Sequence, residues 1–555
     1  MSTVGSAIPS ARLPARRAAL RRALRAAPRH PVAASVLLSV VLHLVWVLWL
    51  ANDAGDLSAQ YAWTEFARQH PESAYNLSWY GGIHIASYSV ISPYLMGAIG
   101  VRTTGLLAGV ASAGLAALLL TRCGLRRPLA PALWTAFALW CDVASGRVTF
   151  ALGLAFGLAA TLLAYCYRGP RLRWLALFGL SALGTMGSPV VGLFLEVAGA
   201  GLFLTGRRRD AYPMLAAPVL VVGGTTLLFP FNGVQPFSFH STLPVVAAAL
   251  AAVWCAPREW TALRRAGLLY AVGVMLVFFI PSPVGSNVER LSLLFAGTAL
   301  LAVLTGVRME RRRAVAVLVA FLAVAGWLTG RTMGDLVVTV PVTPPAKDGK
   351  AMIDQLRALG AERARVEVVP LSSHWEASGV APYVDLARGW NRQADVTRNP
   401  LFYTEQLTAA DYHDWLRQWG VGFVALSSAK PDDAAVKEAE LVKAGQPFLH
   451  QVWQQGSWTI YQVADPTPLA DPPAEVVKAD AASLTVTVPA AGDIRLKLPY
   501  SPWLGLAGHT DTEHGCLAQS GDWTVLHATE PGSYQITGSY GISRGTPCPT
   551  PQQQP

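Results

Sequence analysis

The sequence predicts a polytopic α-helical membrane protein that carries a large extracytoplasmic region. The 555 residues are 52% hydrophobic and 14% charged, whereas soluble domains have about 25% charged residues. Apolar runs recur from Pro31 to Arg331. The charge balance also changes after Arg331, from basic to acidic. Residues 1–331 contain 28 Arg, no Lys and 10 acids (+18), and residues 332–555 contain 16 Lys and Arg and 24 acids (−8), which together give +10. A soluble enzyme and a disordered or fibrous chain are excluded.

The N-terminal part predicts about eleven membrane helices. They lie near residues 32–51, 101–121, 129–142, 147–166, 173–187, 189–206, 212–229, 242–256, 267–281, 291–306 and 313–331. Several are shorter than the roughly 20 residues of a straight span, so they must pack in a bundle with tilted neighbours. The stretch 81–100 is apolar enough to be an alternative span or a re-entrant helix.

Arginine distribution predicts the orientation of this bundle. Twenty-three of the 28 arginines fall in the N-terminal tail and the even-numbered connections, and five fall on the opposite side. By the positive-inside rule, the tail 1–30 is cytoplasmic and the acidic residues 332–555 are extracytoplasmic. The first helix shows no small-residue cleavage site and is expected to stay uncleaved. The basic isoelectric point therefore reflects a multi-pass plasma-membrane protein and indicates no nucleic-acid partner.

Cysteine usage fits this topology. Four cysteines lie in or beside membrane helices and are expected to be free thiols: Cys123, Cys141, Cys166 and Cys255. Cys516 and Cys548 lie in the outer region, where oxidation is permitted, so a disulfide between them is possible. No cysteine spacing suggests a zinc site.

The outer region divides into two predicted parts. Residues 332–465 read as an α/β domain and residues 474–545 as a β-sandwich, separated by a Pro-rich linker, with a disordered tail at 546–555. In the α/β domain, strands are expected at Val337–Val342, Val366–Pro370, Val421–Leu426 and Trp458–Val463, and helices at 350–359, 408–419 and 432–444. In the sandwich, strands are expected at Ser483–Val488, Ile494–Leu498, Trp523–Ala528 and Ser533–Thr537.

Polar residues gather in the predicted outer loops. They are Asp53, Asp56, Gln60, Trp79, Tyr80 and His84 in the first loop, Asp142 and Arg147 in the second, and Arg290 in the fifth. Each has an ordinary explanation, such as helix capping by the two first-loop acids or an interfacial ion pair between Asp142 and Arg147. Their joint position favours chemistry, because a carboxylate at the lipid boundary can act as general base for a hydroxyl and arginine can hold a phosphate.

Several segments carry a family resemblance. They are Gly81–Tyr88 with Ser92-Pro93, Ser145–Gly153, Asn287–Leu291, and Leu386–Asp395 with Asn399–Tyr403. With the two loop acids, these segments resemble the GT-C class of integral-membrane glycosyltransferases, and in particular a large actinobacterial group of such proteins. Asp56 matches the acidic position of the first outer loop and Asp142 that of the second. Because Asp53 and Asp56 are not adjacent, either of them could be the base.

The resemblance implies a GT-C-like fold and an inverting glycosyltransferase. Its donor would be a polyprenyl-phosphate-linked sugar, and its acceptor an envelope glycan, lipid or protein. Asp56, Asp142 and Asp53 would be catalytic, and Arg147, Arg290 and His84 would bind the donor phosphate. Gln60, Trp79 and Tyr80 would bind acceptor or sugar. No cofactor is required, although a divalent cation stays possible.

Two other functions are compatible with many apolar helices. A secondary transporter of the major-facilitator kind would need two similar halves, which the sequence lacks. A non-catalytic envelope scaffold could keep the fold without the chemistry. Two outer-domain motifs, His374-Trp375-Glu376 and Arg388-Gly389-Trp390, could stack on a sugar, but a core Trp beside a satisfied ion pair is the more ordinary explanation. Glu196 in the sixth helix fits structural hydrogen bonding at least as well as transport.

Overall fold

The computed structural model describes residues 30–50, 56–167, 172–339, 349–508, 513–542 and 544–549. Within these ranges, seven helices are long and apolar enough to cross a membrane and four further apolar helices have 16 or 17 residues. A β-rich region forms the C-terminal part. The chain is therefore a polytopic helical membrane protein with a β module, as the sequence predicts. The predicted tail 1–30, apart from His30, and residues 550–555 lie outside the described residues.

The eleven apolar helices follow the predicted segments closely. Their bounds are Pro31–Val45 with the π-turn Trp46–Leu50, Val101–Arg122, Leu129–Ala144, Val148–Cys166, Leu172–Gly187, Pro189–Leu204, Arg208–Leu228, Phe239–Cys255, Thr261–Phe279, Glu289–Gly306 and Arg311–Thr339. Small residues let neighbours approach: a Cβ added at Gly187 would lie 2.8 Å from the Cα of Gly153. Such close contact is how membrane helices gain packing energy without a hydrophobic drive.

The last membrane helix corrects one predicted strand. It runs for 29 residues, Arg311–Thr339, so Val337–Thr339 are helical, and residues 340–342 lie outside the described part. The β-branched run suggested a strand, but these residues continue an apolar helix whose backbone hydrogen bonds are already formed. Helix continuation therefore outweighs the weak β-propensity of the run.

In the first outer connection, residues 81–100 do not form one helix of spanning length, which excludes the spanning alternative but not the re-entrant one. The connection contains the helix Asp56–Gln69, the short strands Tyr75–Asn76 and Ile83–His84, a 3-10 turn at Ile85–Ser87 and the helix Ser92–Ile99. Ser89 and Ser92 both donate to the carbonyl of Gly187, at 2.9 and 3.1 Å. These serines hold the segment on top of the bundle.

The α/β part contains one four-stranded mixed sheet. We number strands in chain order from β1 (Tyr75–Asn76) and β2 (Ile83–His84), so that this sheet has β3 (Arg365–Val368), β4 (Val421–Ser427), β5 (Leu449–Gln455) and β6 (Trp458–Val463) in the order β3-β4-β6-β5. Only the β3–β4 pair among its neighbours is parallel. Helices lie at Lys350–Ala358, Trp375–Val380, Arg392–Arg398, Ala409–Trp419 and Val436–Lys443. Strand β5 was missed because its residues are mostly exposed and polar.

The C-terminal part has two antiparallel sheets. One contains Glu475–Asp480 (β7), Ser483–Val488 (β8), Gly505–Leu506 (β10) and Gly532–Thr537 (β13), in the order β10-β13-β8-β7; the other contains Gly492–Pro499 (β9), Gly515–Ser520 (β11) and Trp523–Ala528 (β12), in the order β11-β12-β9. Strands β7, β10 and β11 were not predicted. A disulfide joins Cys516 to Cys548, and Cys123, Cys141, Cys166 and Cys255 are free thiols.

The first outer connection lies within the cores of both outer parts. Trp63, Trp79 and Tyr80 share a buried cluster with residues of the α/β sheet, and Tyr75 and Leu77 share one with the β-rich part. Hydrogen bonds fix the same placement: the Ser58 hydroxyl donates to the His374 carbonyl at 2.8 Å. Arg365 donates to the carbonyl of Gly81, where a Cβ would meet its guanidinium at 2.8 Å. The loop therefore couples the bundle to the outer region.

Candidate active site at the outer end of the helix bundle

The site centres on Arg147, which precedes the helix Val148–Cys166. The preceding helix ends at Ala144, and Gly146 turns the chain with φ of +82°, a conformation that suits glycine. The Arg147 amide donates to the carbonyl of Asp142 at 3.3 Å. This tight turn brings the Asp142 carboxylate and the Arg147 guanidinium to the same end of two antiparallel helices.

Three carboxylates surround the Arg147 guanidinium. Asp335 Oδ2 lies 3.2 Å from Nη2, Asp56 Oδ2 lies 3.5 Å from Nε, and Asp142 Oδ1 lies 3.6 Å from Nη1. They come from the last membrane helix, the first outer helix and the helix Leu129–Ala144. The structure thus brings Asp56, Asp142 and Asp335 to the same guanidinium, but Asp142 lines one cavity and Asp56 another, and only Arg147 of these four residues lines both. Of the three acids, Asp56 is the most exposed, at 41% of its side chain.

Gln60 holds the turn in place rather than facing a ligand. It is 1% exposed. Its Nε2 donates to the carbonyl of Gly146, and its Oε1 accepts from the Thr149 amide at 3.1 Å. The predicted role in acceptor binding is therefore corrected: both ends of the amide are used by backbone. Gln60 aligns the first outer helix, and so Asp56, with Arg147.

Arg290 lies on the other side of Asp142. A cavity of about 10 Å³, the size of one water, is lined by Cys141, Asp142, Arg147, Arg290, Leu293, Leu294, Leu328, Arg331 and Thr332. The Arg290 guanidinium packs over Phe150 at 4.9 Å and donates to Asn287 Oδ1 at 2.9 Å. Asp142 Oδ2 is buried and, among the described residues, has no hydrogen-bond partner. The inner part of the site therefore retains an unused acceptor beside two arginines.

A larger cavity of about 210 Å³ opens above Arg147. It is lined by Asp56, Ser145, Arg147, Asp335, Val338, Thr339, Ser372, His374, Trp390, Arg392, Asp432 and Asp433. Membrane helices form its floor and the α/β domain forms its roof. It is smaller than the roughly 300–1,000 Å³ of pockets that enclose whole drug-sized ligands, so it suits the reacting end of a larger molecule.

The roof of this cavity is a stacked and charged group. The His374 and Trp390 rings are parallel within 7°, with centroids 3.4 Å apart, and Arg392 lies over Trp390 at 5.1 Å. Arg392 Nη2 contacts Asp432 Oδ1 at 3.1 Å. Burial lowers the pKa of His374 to about 3, so its imidazole is neutral near pH 7. Because His374 covers a face of Trp390, that face is not free to stack on a sugar.

Three of the predicted binding residues lie elsewhere. The His84 ring contacts the Ala74 carbonyl at 3.2 Å and the Ser501 hydroxyl at 3.1 Å. Tyr80 exchanges hydrogen bonds with Asn391, and Trp79 is fully buried. None of the three lines either cavity. They join the first outer connection to the outer domains, and these two cavities give no support to the ligand roles predicted for them. Asp53 lies outside the described residues.

The two side chains of the motif Arg388-Gly389-Trp390 lie in different environments. Arg388 is 2% exposed and pairs with Glu367 at 2.7 Å and with Glu438, which matches the satisfied ion pair expected of a core. Trp390 instead lines the cavity. Sequence reasoning did not find Asp335, Arg392 or Asp432. Asp335 was placed just before an expected strand, where its helix-borne approach to Arg147 is invisible. Within the described ranges, no group of three or more metal-ligand residues is arranged to hold an ion.

Comparisons with known proteins give one family model over the C-terminal part and structural similarities at low sequence identity. Residues 471–553 match a family described as a domain of unknown function, DUF8823. No curated protein sequence matches the chain. Among solved structures, the chain is similar to arabinofuranosyltransferase AftD from Mycobacteria, with 15% identity over 83% of this chain and 41% of that chain, at a TM-score of 0.47. The chain is similar to a mutant of that protein as well, with 16% identity over 79% of this chain and 42% of that chain, at a TM-score of 0.47.

A further similar structure is the Archaeoglobus fulgidus oligosaccharyltransferase tethered to an acceptor peptide. It shares 10% identity over 78% of this chain and 74% of that chain, at a TM-score of 0.46. The chain spans about two fifths of the length of the arabinofuranosyltransferase.

Proposed function

We propose that this protein is a GT-C-like membrane glycosyltransferase. It moves a sugar from a polyprenyl-phosphate carrier to an acceptor hydroxyl on the extracytoplasmic side, with inversion. The observation that carries the proposal is the convergence of Asp56 and Asp142 on Arg147. These residues come from two separate outer connections and meet in one site between the bundle and the outer domain.

The reaction is a single displacement at the anomeric carbon. The acceptor oxygen forms a bond to this carbon while the bond from the carbon to the phosphate oxygen breaks. Asp56 takes the acceptor proton, and polyprenyl phosphate leaves with the electron pair. Asp56 suits this role because its carboxylate reaches the larger cavity and keeps 41% of its side chain exposed. Positioned general bases contribute typically about 10²–10⁴-fold to rate.

Arginines stabilise the leaving phosphate in this scheme. Arg147 lines both cavities and Arg290 lines the smaller one, so a phosphate in the larger cavity meets the Arg147 guanidinium, with that of Arg290 in the adjoining water-sized cavity. Such charge-assisted contacts are strongest where water is excluded. Asp142 orients Arg147 from the membrane side. Binding of a divalent cation at this site also stays a proposal.

The proposal requires residues 349–549 to lie outside the cell. The outer domain contacts the end of helix Arg208–Leu228 that lies opposite its arginines: Trp503 Nε1 donates to the Leu228 carbonyl at 2.6 Å. This supports the orientation inferred from arginine distribution. A membrane-impermeant thiol reagent should label a Ser428→Cys variant in intact cells. Protection of that thiol until lysis would overturn the orientation.

The function is tested by genetic deletion with complementation. Deletion should remove one glycosidic linkage from the cell envelope, as measured by linkage analysis of purified glycans and glycolipids. Wild-type protein and the surface variant Asp354→Asn should restore the linkage, and Asp56→Asn should not. Unchanged linkages after deletion would contradict the proposal. Restoration by Asp56→Asn would indicate a scaffold that retains the fold without the chemistry.

A further inference from the structure

Exposed apolar side chains occur on the segments that join the β-rich part to the bundle, where Tyr94, Leu228 and Phe229 contact Tyr540 and Trp503. They include Leu95, Ile99, Leu227 and Ile542. Their exposed fractions are 37%, 42%, 79% and 108%. Leu227 lies at the end of the candidate span Arg208–Leu228, and Leu95 and Ile99 lie on the short helix that rests on the bundle. Ile542 differs from the others because it belongs to the β-rich part.

Aromatic contacts place the segment of Ile542 beside the outer end of the helix Arg208–Leu228. Phe229 directly follows the span, and Trp503 stacks on it with centroids 5.1 Å apart. Tyr540 meets the Phe229 ring edge-on at 6.2 Å, and its hydroxyl lies 3.1 Å from that of Tyr94. Aromatic residues with one apolar and one polar end concentrate at the two surfaces of a bilayer. Ile542, two residues beyond Tyr540, is therefore held near the lipid boundary.

Backbone contacts hold both ends of the segment that bears Ile542. On one side, the Tyr540 amide donates to the Glu72 carbonyl at 2.8 Å. On the other, the Cys548 amide donates to the Leu517 carbonyl at 3.0 Å, and the disulfide to Cys516 closes the same connection. Tyr540 and Cys548, on either side of Ile542 in the chain, are thus both tied to neighbouring segments. Arg544 lies over Trp503 at 5.7 Å, which adds a cation beside the aromatic group.

We propose that the β-rich part docks on the outer leaflet of the membrane through Ile542 and Arg544. Ile542 enters the boundary between headgroups and acyl chains, and Arg544 meets lipid phosphates. The occupant is a phospholipid surface rather than another protein, because the patch continues the lipid-facing surface at the end of the span. An apolar side chain flanked by aromatic and basic groups is the composition of interfacial membrane contacts. This docking is independent of the proposed transferase activity.

The direct test uses the unmodified full chain. The protein is reconstituted in nanodiscs of phosphatidylcholine and phosphatidylglycerol that contain a phospholipid with a photoactivatable group near its headgroup. After irradiation, mass spectrometry should find lipid on the peptide that contains Ile542. The matched control within the same molecule is Val477, which is 51% exposed on β7, at the sheet edge opposite β10. Its peptide should carry no lipid.

Two variants separate docking from folding. Ile542→Asp should lose most of the lipid label while keeping the thermal unfolding temperature of the wild type, and Val477→Asp should keep the label at Ile542. Absence of label at Ile542 in wild-type protein, with the membrane helices labelled, overturns the proposal. A cross-link from Ile542 to a second copy of the chain in place of lipid overturns it as well.

Discussion

Two arginines in this molecule each collect several carboxylates, with different results. Around Arg388 in the outer domain, the acids are buried and mostly satisfied: Tyr412 donates to Glu438 Oε1 at 3.0 Å and Tyr403 donates to Asp395 Oδ2 at 2.6 Å. Around Arg147, the acids lie 3.2–3.6 Å away. Within the described structure each group has a buried oxygen without a partner, Glu367 Oε2 beside Arg388 and Asp142 Oδ2 beside Arg147. The first group is closed, whereas the second opens on a cavity.

This difference separates stability from function. A buried ion pair contributes little net stability when intact, but it is costly to break because one charge is left unpaired. The Arg388 group should therefore matter for folding. In the Arg147 group, Arg147 donates to Asp335 at 3.2 Å, but its contacts with Asp56 and Asp142 are longer than hydrogen bonds, so hydrogen-bonding capacity is available to a ligand. Substitutions in the Arg388 group should lower stability, whereas substitutions in the Arg147 group should lower activity.

The largest expected effect is on catalysis. Asp56→Asn keeps the size of the side chain and removes the base, so turnover should fall by about 10²–10⁴-fold. The unfolding temperature should stay near that of the wild type, because Asp56 is partly exposed. Turnover of lipid-linked sugar by purified protein in nanodiscs measures the change, with Asp354→Asn as the control. An unchanged rate would move the role of base to Asp53 or Asp142.

The second prediction breaks the closed group. Arg388→Met should destabilise the outer domain by about 3–5 kcal/mol, because it leaves buried carboxylates uncompensated. Arg147→Met should reduce stability less than Arg388→Met does, and it should reduce turnover more. Thermal unfolding and turnover of the two variants, measured side by side, check this contrast. Equal stability losses would mean that the Arg147 group is also a structural ion cluster.

The buried carboxylate of Glu376 belongs to neither group and is held by backbone. It accepts from the Leu371 amide at 3.0 Å, and burial raises its pKa from 4.5 to about 8. Between these values the unfolded chain ionises while the folded chain keeps the proton, so the wild type loses stability as the pH rises. Glu376→Gln should remove this loss.

The measurement is thermal unfolding of the full chain from pH 4.5 to pH 8. The unfolding temperature of Glu376→Gln relative to wild type should rise across this window, by about 2–4 °C for each kcal/mol regained. Glu440→Gln, an exposed carboxylate of the same domain, should show no such trend. A constant offset between Glu376→Gln and wild type would mean that Glu376 ionises at its ordinary pKa in the fold.

The smallest expected effect concerns Asp335, which holds Arg147 at 3.2 Å when no phosphate is bound. Asp335→Asn should free the guanidinium and tighten binding of polyprenyl monophosphate by up to about fivefold, the equivalent of the roughly 1 kcal/mol of a partly exposed ion pair. Native mass spectrometry or a binding titration measures it. Weaker binding to Asp335→Asn would show that this acid supports the phosphate site, for instance through a cation.

Sequence reasoning located the helices better than the contacts between them. Apolar length and arginine position are local signals, so the spans agree with the structure within a few residues at most ends. Asp56, Asp142 and Arg147 were found because each lies next to a predicted span. Asp335 was missed because the last helix runs eight residues beyond its predicted end. The contacts of His84 with Ser501 and of Tyr80 with Gly389 and Asn391 could not be predicted, because they join residues more than 300 positions apart.

The first outer connection also has a consequence for how the protein is made. Ser58 pairs with His374, and Ser73 with Gly538, across 316 and 465 residues of chain. At a synthesis rate of about 5–20 residues per second, roughly 20–90 s pass between the emergence of Ser73 and that of its partner. Throughout that time the segment that presents Asp56 lacks its final neighbours. Under the proposed function, we therefore expect a nascent chain to stay inactive until residues up to Gly538 have crossed the membrane.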